Sequence, residues 1–198
     1  MGTGDNREVV AVTVDPGTGA VSADFTMAHA ANSPVSVSGG FSAGVVPPGG
    51  NGSTAWVLKV FGDINGNGSM VYVEYTCDFA NSRLTRNSMA FNALAKTAPT
   101  VEEILVDNLV ANPGNAACFT YQPKTVNGTT FIVGVAITLT VQSRDRDPIT
   151  NQFQRESKAL LNVSPRNVFN VWQNASLGLN NRVQPTPPSV TNLLPALP

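Results

Sequence analysis

Residues Thr130–Ser143, TFIVGVAITLTVQS, alternate in hydropathy over most of their length. Val133, Val135, Ile137, Leu139 and Val141 fall on one face of an extended chain, and Gly134, Ala136, Thr138, Thr140 and Gln142 on the other. A period of two sustained this long suits a strand with one buried face and not a helix. It also constrains the partners. Strands of parallel sheets are covered on both sides and read as continuous apolar runs, whereas one-sided alternation belongs to antiparallel sheets. A slip of one residue would turn the whole apolar row to solvent, so the pairing register is specified as well. The fold predicted from this segment is mainly β, built of antiparallel twisted sheet.

The rest of the chain supplies partners. Trp56–Phe61 (WVLKVF) and Ser69–Cys77 (SMVYVEYTC) flank the turn Gly62–Gly68 (GDINGNG) and predict a hairpin. In its second strand Val71, Val73, Tyr75 and Cys77 share the face assigned to the core, and Met70, Tyr72, Glu74 and Thr76 take the other. Arg83–Arg86 and Ala117–Tyr121 are expected in the same sheet, and Arg155–Val163 is a last strand before Pro165. Glu8–Val14 and Ala20–Thr26 flank Asp15–Gly19 as another strand pair. Thr100 and Glu103 have capping-box spacing. With Val101, Ile104, Leu105 and Leu109 they suit a short helix, although the β-branched residues leave an extended reading open. Residues 32–53, rich in Ser, Gly and Pro, read as a long loop with one short strand near Val35–Val37. The expected organisation is one β-rich globular domain over residues 1–172 and an Asn/Pro-rich tail over 173–198.

Composition narrows the function classes. Charged residues are 13% of the 198, about half the usual ~25%. Twelve basic and thirteen acidic side chains leave a net charge of −1, without the basic surplus of a nucleic-acid binder or a polybasic membrane-surface protein. No apolar run approaches the ~18 residues of a membrane-spanning helix. The start, Met1-Gly2-Thr3-Gly4-Asp5, has no signal-peptide core and reads as a soluble domain from which the natural N-terminus has been removed.

Candidate chemistry is sparse. The sole histidine, His29, lies in the Ala-rich stretch Met27–Ala31 with no sequence neighbour to orient it for a catalytic triad. The chain carries no nucleophile elbow, phosphate-binding loop or dinucleotide fingerprint. Cys77 and Cys118 do not form a C-x-x-C pair; they are a candidate disulfide or two small buried thiols. Asp63, Asn65, Asn67, Gly68 and Glu74 match the D-x-[DN]-x-[DN]-G-x5-E calcium-loop pattern. The same residues serve equally as an Asn/Gly hairpin turn, and the strand-like flanks favour that reading. Trp56 and Trp172 are either a carbohydrate platform or core. Asn-x-Ser/Thr sequons begin at Asn51, Asn67, Asn127, Asn162 and Asn174 and by themselves establish no glycosylation. The expectation is a protein without catalytic residues or a cofactor, calcium at Asp63, Asn65, Asn67 and Glu74 being the single candidate.

The order of features in the middle of the chain carries a resemblance. GDINGNG leads into VYVEYTCD; SRLTR, ILVDNLV and ACFTY follow; then come the long strand VGVAITLTVQSRDRDPITNQ and a last strand closing on Ser164-Pro165-Arg166-Asn167. This succession, from Trp56 to Asn167, resembles the prepilin-type proteins: W-type minor pilins and J-type minor pseudopilins of type II secretion. Each piece is short, and the specific part is the order.

The resemblance implies a non-catalytic subunit in the assembly of a type IV pilus or a type II secretion pseudopilus, with other pilin or pseudopilin subunits as partners. Family members begin with a basic leader, a peptidase site and a long apolar helix, which this sequence lacks; with such a helix restored the fold would be α+β. The implied location is bacterial, either anchored in the inner membrane with a periplasmic domain or incorporated in an extracellular filament. Contact with the membrane would run only through the absent helix, and nucleic acid is not an expected partner. The loops 32–53 and Arg144–Gln154 are the expected partner-choosing segments. The alternative reading is a surface adhesin or carbohydrate-binding β-sandwich module.

Overall fold

A computed structural model describes residues 10, 12–31, 40–97 and 103–195, without the side chain of residue 160. The chain divides into two compact units, residues 1–38 and 39–198. The first unit holds one antiparallel pair, β1 (Val12–Val14) and β2 (Val21–Ala23), with Val14 opposite Val21. Asp15 shapes the turn. Its carboxylate accepts from the Thr18 hydroxyl and the Gly17 N–H, both at 2.8 Å, and these donors hold its pKa below the ordinary carboxylate range. The strand expected near Val35–Val37 lies outside the described residues.

The second unit is mainly β and antiparallel, as the alternation predicts. Its antiparallel strands divide between two four-stranded sheets, however, and not one. After the short β3 (Gly40–Phe41), the first sheet runs β4 (Val57–Gly62), β5 (Val71–Asp78), β6 (Arg83–Ala90), β7 (Ile104–Asp107) in spatial order. The second is built on the long β10 (Thr129–Arg146). β11 (Phe153–Val163) lies along one side of it, while β8 (Leu109–Val110) and β9 (Phe119–Val126) share the other. Leu58, Val60, Val73, Cys77 and Leu84 of the first sheet meet Leu109, Phe119, Ile132 and Val135 of the second in one core, which also takes in Cys118.

Residues 104–107 and 109–110 are strands, not helix, with Asn108 at φ 58° between them. The open edge of β6 offers backbone partners, with Leu84 opposite Val106 and Arg83 opposite Asp107, and stiff Ile and Val side chains favour that state. Thr100 of the expected cap and Val101 of the expected helix lie outside the described residues.

Two face assignments change as well. β10 carries a register shift between Ile132 and Gly134 opposite Pro123–Gln122. The extra residue turns Val133 to the outer face with Phe131, while Ile132 and Val135 point into the core between the sheets. The second face of β5 is not a solvent face: Tyr72 is fully buried and Glu74 nearly so.

These outer faces are covered by a helix to which the sequence reading assigned no element, and by chain that composition reads as loop and tail. α1 (Arg166–Ser176) lays Val168, Val171 and Ala175 on Phe131 and Val133. Gly40 lets it approach, since a Cβ there would stand 2.8 Å from Val171 Cγ2. β12 (Val183–Gln184) pairs in parallel with β3. α2 (Pro188–Leu193) then buries Val190 and Leu193 against Phe61, Tyr72 and Met89, beside Ala43 and Val46. Residues 173–195 are therefore part of the folded unit. Their prolines flank or start short elements, and two apolar side chains supply the anchorage. Likewise Ala43, Val45 and Val46, inside the expected long loop, are core residues. Among the described residues no helix is long and apolar enough to cross a membrane.

Candidate functional site

The motif residues separate in the structure. Asp63 closes the β4–β5 turn on itself: one carboxylate oxygen accepts the Asn67 N–H at 3.0 Å, the other the Gly68 N–H at 2.9 Å. Asn67 Oδ1 accepts the Ser69 N–H at 3.0 Å, and Asn65 Oδ1 accepts from the Arg86 guanidinium at 2.9 Å. Gly66 and Gly68 supply the positive φ angles that the turn requires. Glu74 does not join this group. It sits opposite Lys59, whereas the hairpin mouth pairs Gly62 with Val71. Three ladder positions at ~3.3 Å each put it roughly 10 Å from the turn. The spacing that matches a calcium loop in sequence is thus a strand spacing in space. Among the described residues, no three His, Cys, Asp or Glu side chains are grouped to hold a metal ion.

Cys77 and Cys118 form a disulfide with their Cα atoms 6.8 Å apart. Cys77 lies in β5 and Cys118 just before β9, so the bond joins the two sheets across their shared core. Both cysteines are almost fully buried.

Glu74 belongs instead to a polar cluster on the outer face of the first sheet, under α2. Its Oε1 receives the Lys96 ammonium at 2.5 Å and the Tyr72 hydroxyl at 2.7 Å, and the Lys59 ammonium stands 3.6 Å away. Lys59 Nζ also donates to the Asn51 carbonyl at 2.8 Å and to the Leu194 carbonyl at 2.5 Å. The Lys96 ammonium stands 5.9 Å from the centre of the Tyr72 ring. All three charged side chains are about nine-tenths buried. Among the described residues, the two ammonium groups share this carboxylate. Burial lowers the Lys59 pKa, Glu74 opposes that, and Lys96 adds to it. Burial, and then the hydrogen bond to Glu74, raises the Tyr72 phenol well above its ordinary value. Asn87, buried and directly opposite Glu74 in the β5–β6 ladder, donates through Nδ2 to the Thr97 carbonyl at 2.6 Å. Sequence reasoning missed this group. The signal available was a Lys, a Glu and an Asn at positions that become cross-strand neighbours once the hairpin registers are drawn.

The remaining candidates find ordinary places. Trp56 packs edge-on against Phe79 with ring centres 5.4 Å apart and borders the central core; Trp172 packs against Phe169 and borders the α1 cluster. Neither stands clear as a sugar platform. His29 lies 5.0 Å from the Phe25 ring, edge to face, in the first unit. Arg144 and Arg146 end β10, and Asp147 makes the tight turn to β11 by accepting the Ile149 and Thr150 N–H groups. β11 forms an outer edge of its sheet with its described side chains exposed. Leu161 and Val163 pair with Ile137 and Val135 and so face the same side as the central core. They nonetheless remain 53% and 51% exposed, so the first sheet leaves this strip uncovered. Compared with known proteins, the chain matches no family model, no curated protein and no solved structure.

Proposed function

We propose that this domain is a non-catalytic, pilin-like assembly subunit that docks laterally beside other pilin or pseudopilin subunits of a type IV pilus or type II secretion pseudopilus. The observation that carries the reading is the order of features from Trp56 to Asn167, resembling minor pilins and minor pseudopilins. A lateral role also suits the uncovered strip at β11. Leu161 and Val163 expose apolar surface along an edge strand, where neighbouring subunits can add contact area. The turn at Arg144–Gln154 lies at one end of the same hairpin and contributes to partner choice. Location follows the same reading: a periplasmic domain held at the inner membrane, or a place in an extracellular filament.

The test is deletion of the gene in its host, with surface filaments counted and secretion assayed. Loss of filaments or of secretion, restored by the intact gene, supports the assembly reading. If both stay normal while binding to a glycan or a host surface disappears, the domain is an adhesin instead.

A further inference from the structure

An amine, a carboxylate and a carboxamide share one dry pocket on the outer face of the first sheet. Lys59, Glu74 and Asn87 stand in a single row across β4, β5 and β6, Glu74 in the middle. Residues directly opposite in an antiparallel sheet point the same way, with Cβ atoms about 5 Å apart. Tyr72 and Met89, two residues along on the same face, close the row on one side and are buried with it. Lys96 enters from the segment after β6 and puts its Nζ on Glu74 Oε1 at 2.5 Å, while Asn87 holds the carbonyl of the very next residue, Thr97.

The two amines are not equivalent. Lys59 spends its donors on the Asn51 and Leu194 carbonyls, on the β4 side and away from β6. Lys96 donates to Glu74 Oε1, and the carbonyl of the residue after it, Thr97, is held by Asn87 Nδ2. A lysine amine held in a dry pocket is a nucleophile once it is neutral. A buried carboxyl within reach of that amine is placed to carry the proton.

We propose that Lys96 and Asn87 become joined by an intramolecular amide bond, with Glu74 as the proton carrier. Neutral Lys96 Nζ attacks Asn87 Cγ and the Nζ–Cγ bond forms. Glu74 takes a proton from the attacking nitrogen and delivers one to Asn87 Nδ2. The Cγ–Nδ2 bond breaks and ammonia leaves. Amine and carboxamide become secondary amide and ammonia, with no oxidant, metal or activated co-reactant. The bond ties β6 to the segment that follows it. The proposal is independent of the assembly reading.

The experiment is intact-mass spectrometry of the purified full chain after reduction of Cys77–Cys118, followed by tryptic mapping. The expected mass is that of the sequence less one ammonia. Trypsin is expected to skip Lys96, giving one internally linked peptide from Asn87 to Lys124. Asn87→Ala and, as a variant that keeps a cation beside Glu74, Lys96→Arg are expected to restore the full mass. Three results overturn the proposal: the full sequence mass in the folded wild-type protein, a link that carries Lys59, or ammonia loss on a peptide cut normally after Lys96. The last is the signature of a succinimide at Asn87–Ser88.

Discussion

The ammonium of Lys59 donates to the carbonyl of Leu194 at 2.5 Å, joining the middle of β4 to a residue 135 positions later. Around this bond Val190 and Leu193 are fully buried against Phe61, Tyr72 and Met89. The C-terminal segment is thereby the cover for one face of the first sheet. Without it, the face that carries Glu74 would meet water.

Leu193→Ala is accordingly expected to cost about 2–5 kcal/mol of unfolding free energy, the range for deleting a buried leucine side chain. Urea denaturation checks this. A loss below half a kilocalorie would mean that the segment does not cover the sheet in solution.

Glu74→Ala removes the carboxylate that, among the described residues, faces the buried Lys59 ammonium and Lys96 Nζ. Breaking a buried ion pair from one side costs about 3–5 kcal/mol, because the remaining charge stays desolvated. The same denaturation series is expected to show Lys59→Met as the milder change, since it leaves Glu74 hydrogen-bonded to Lys96 Nζ and to the Tyr72 hydroxyl. Equal losses would contradict the pairing at 2.5 Å.

Alkaline titration separates two signs. Burial lowers the Lys59 pKa below its ordinary 10.5, so between its folded value and 10.5 the unfolded chain binds more protons. Stability gains from Lys59 as pH rises through that window. Tyr72 and Tyr121 act oppositely. Burial raises Tyr121 to about 12 from its ordinary 10.0 and Tyr72 further still, so above pH 10 the folded state holds the extra protons and stability falls. Melting temperature against pH is expected to turn over near pH 10, and Lys59→Met to flatten the rising limb alone. Phenolate absorbance is expected to show Tyr72 silent until the protein unfolds.

Cys77–Cys118 closes a loop of 41 residues, worth about 4 kcal/mol in the chain-entropy model. Denatured but unreduced protein is expected to show no free thiol, and a reductant to lower the urea midpoint by a corresponding amount. Two thiols titrating without reductant would refute the bond.

At the β4–β5 turn, both Asp63 oxygens are committed to the Asn67 and Gly68 N–H groups. Asp63→Ala is expected to cost about 1 kcal/mol whether or not calcium is present. Thermal melts with and without millimolar calcium decide it. A calcium-dependent rise in melting temperature that Asp63→Ala abolishes would restore the metal reading.

Much of the strand plan was legible because local chemistry and tertiary structure agree there. GDINGNG can only turn tightly, and the apolar residues on either side can only pair across it, so β4 and β5 followed from residues 56–77. β10 and β11 followed from alternation and a polar turn in the same way. The Asp63 turn was readable too, but not the departure of Glu74 from it. A motif records spacing along the chain, and a strand converts that spacing into distance.

Tertiary structure decided what covers each sheet. Val133 points outward because a bulge opposite Pro123 shifts the pleat, which alternation alone does not reveal. Ile104–Asp107 is extended because the edge of β6 lacked a partner, outweighing a helix-like start. Val190 and Leu193 look like stray apolar residues in a proline-rich tail until the outer face of the first sheet exists for them to bury. The Lys59–Glu74–Asn87 row exists only when two hairpin registers are superposed. Local sequence sets which backbone states are cheap; which faces become dry depends on segments more than a hundred residues away.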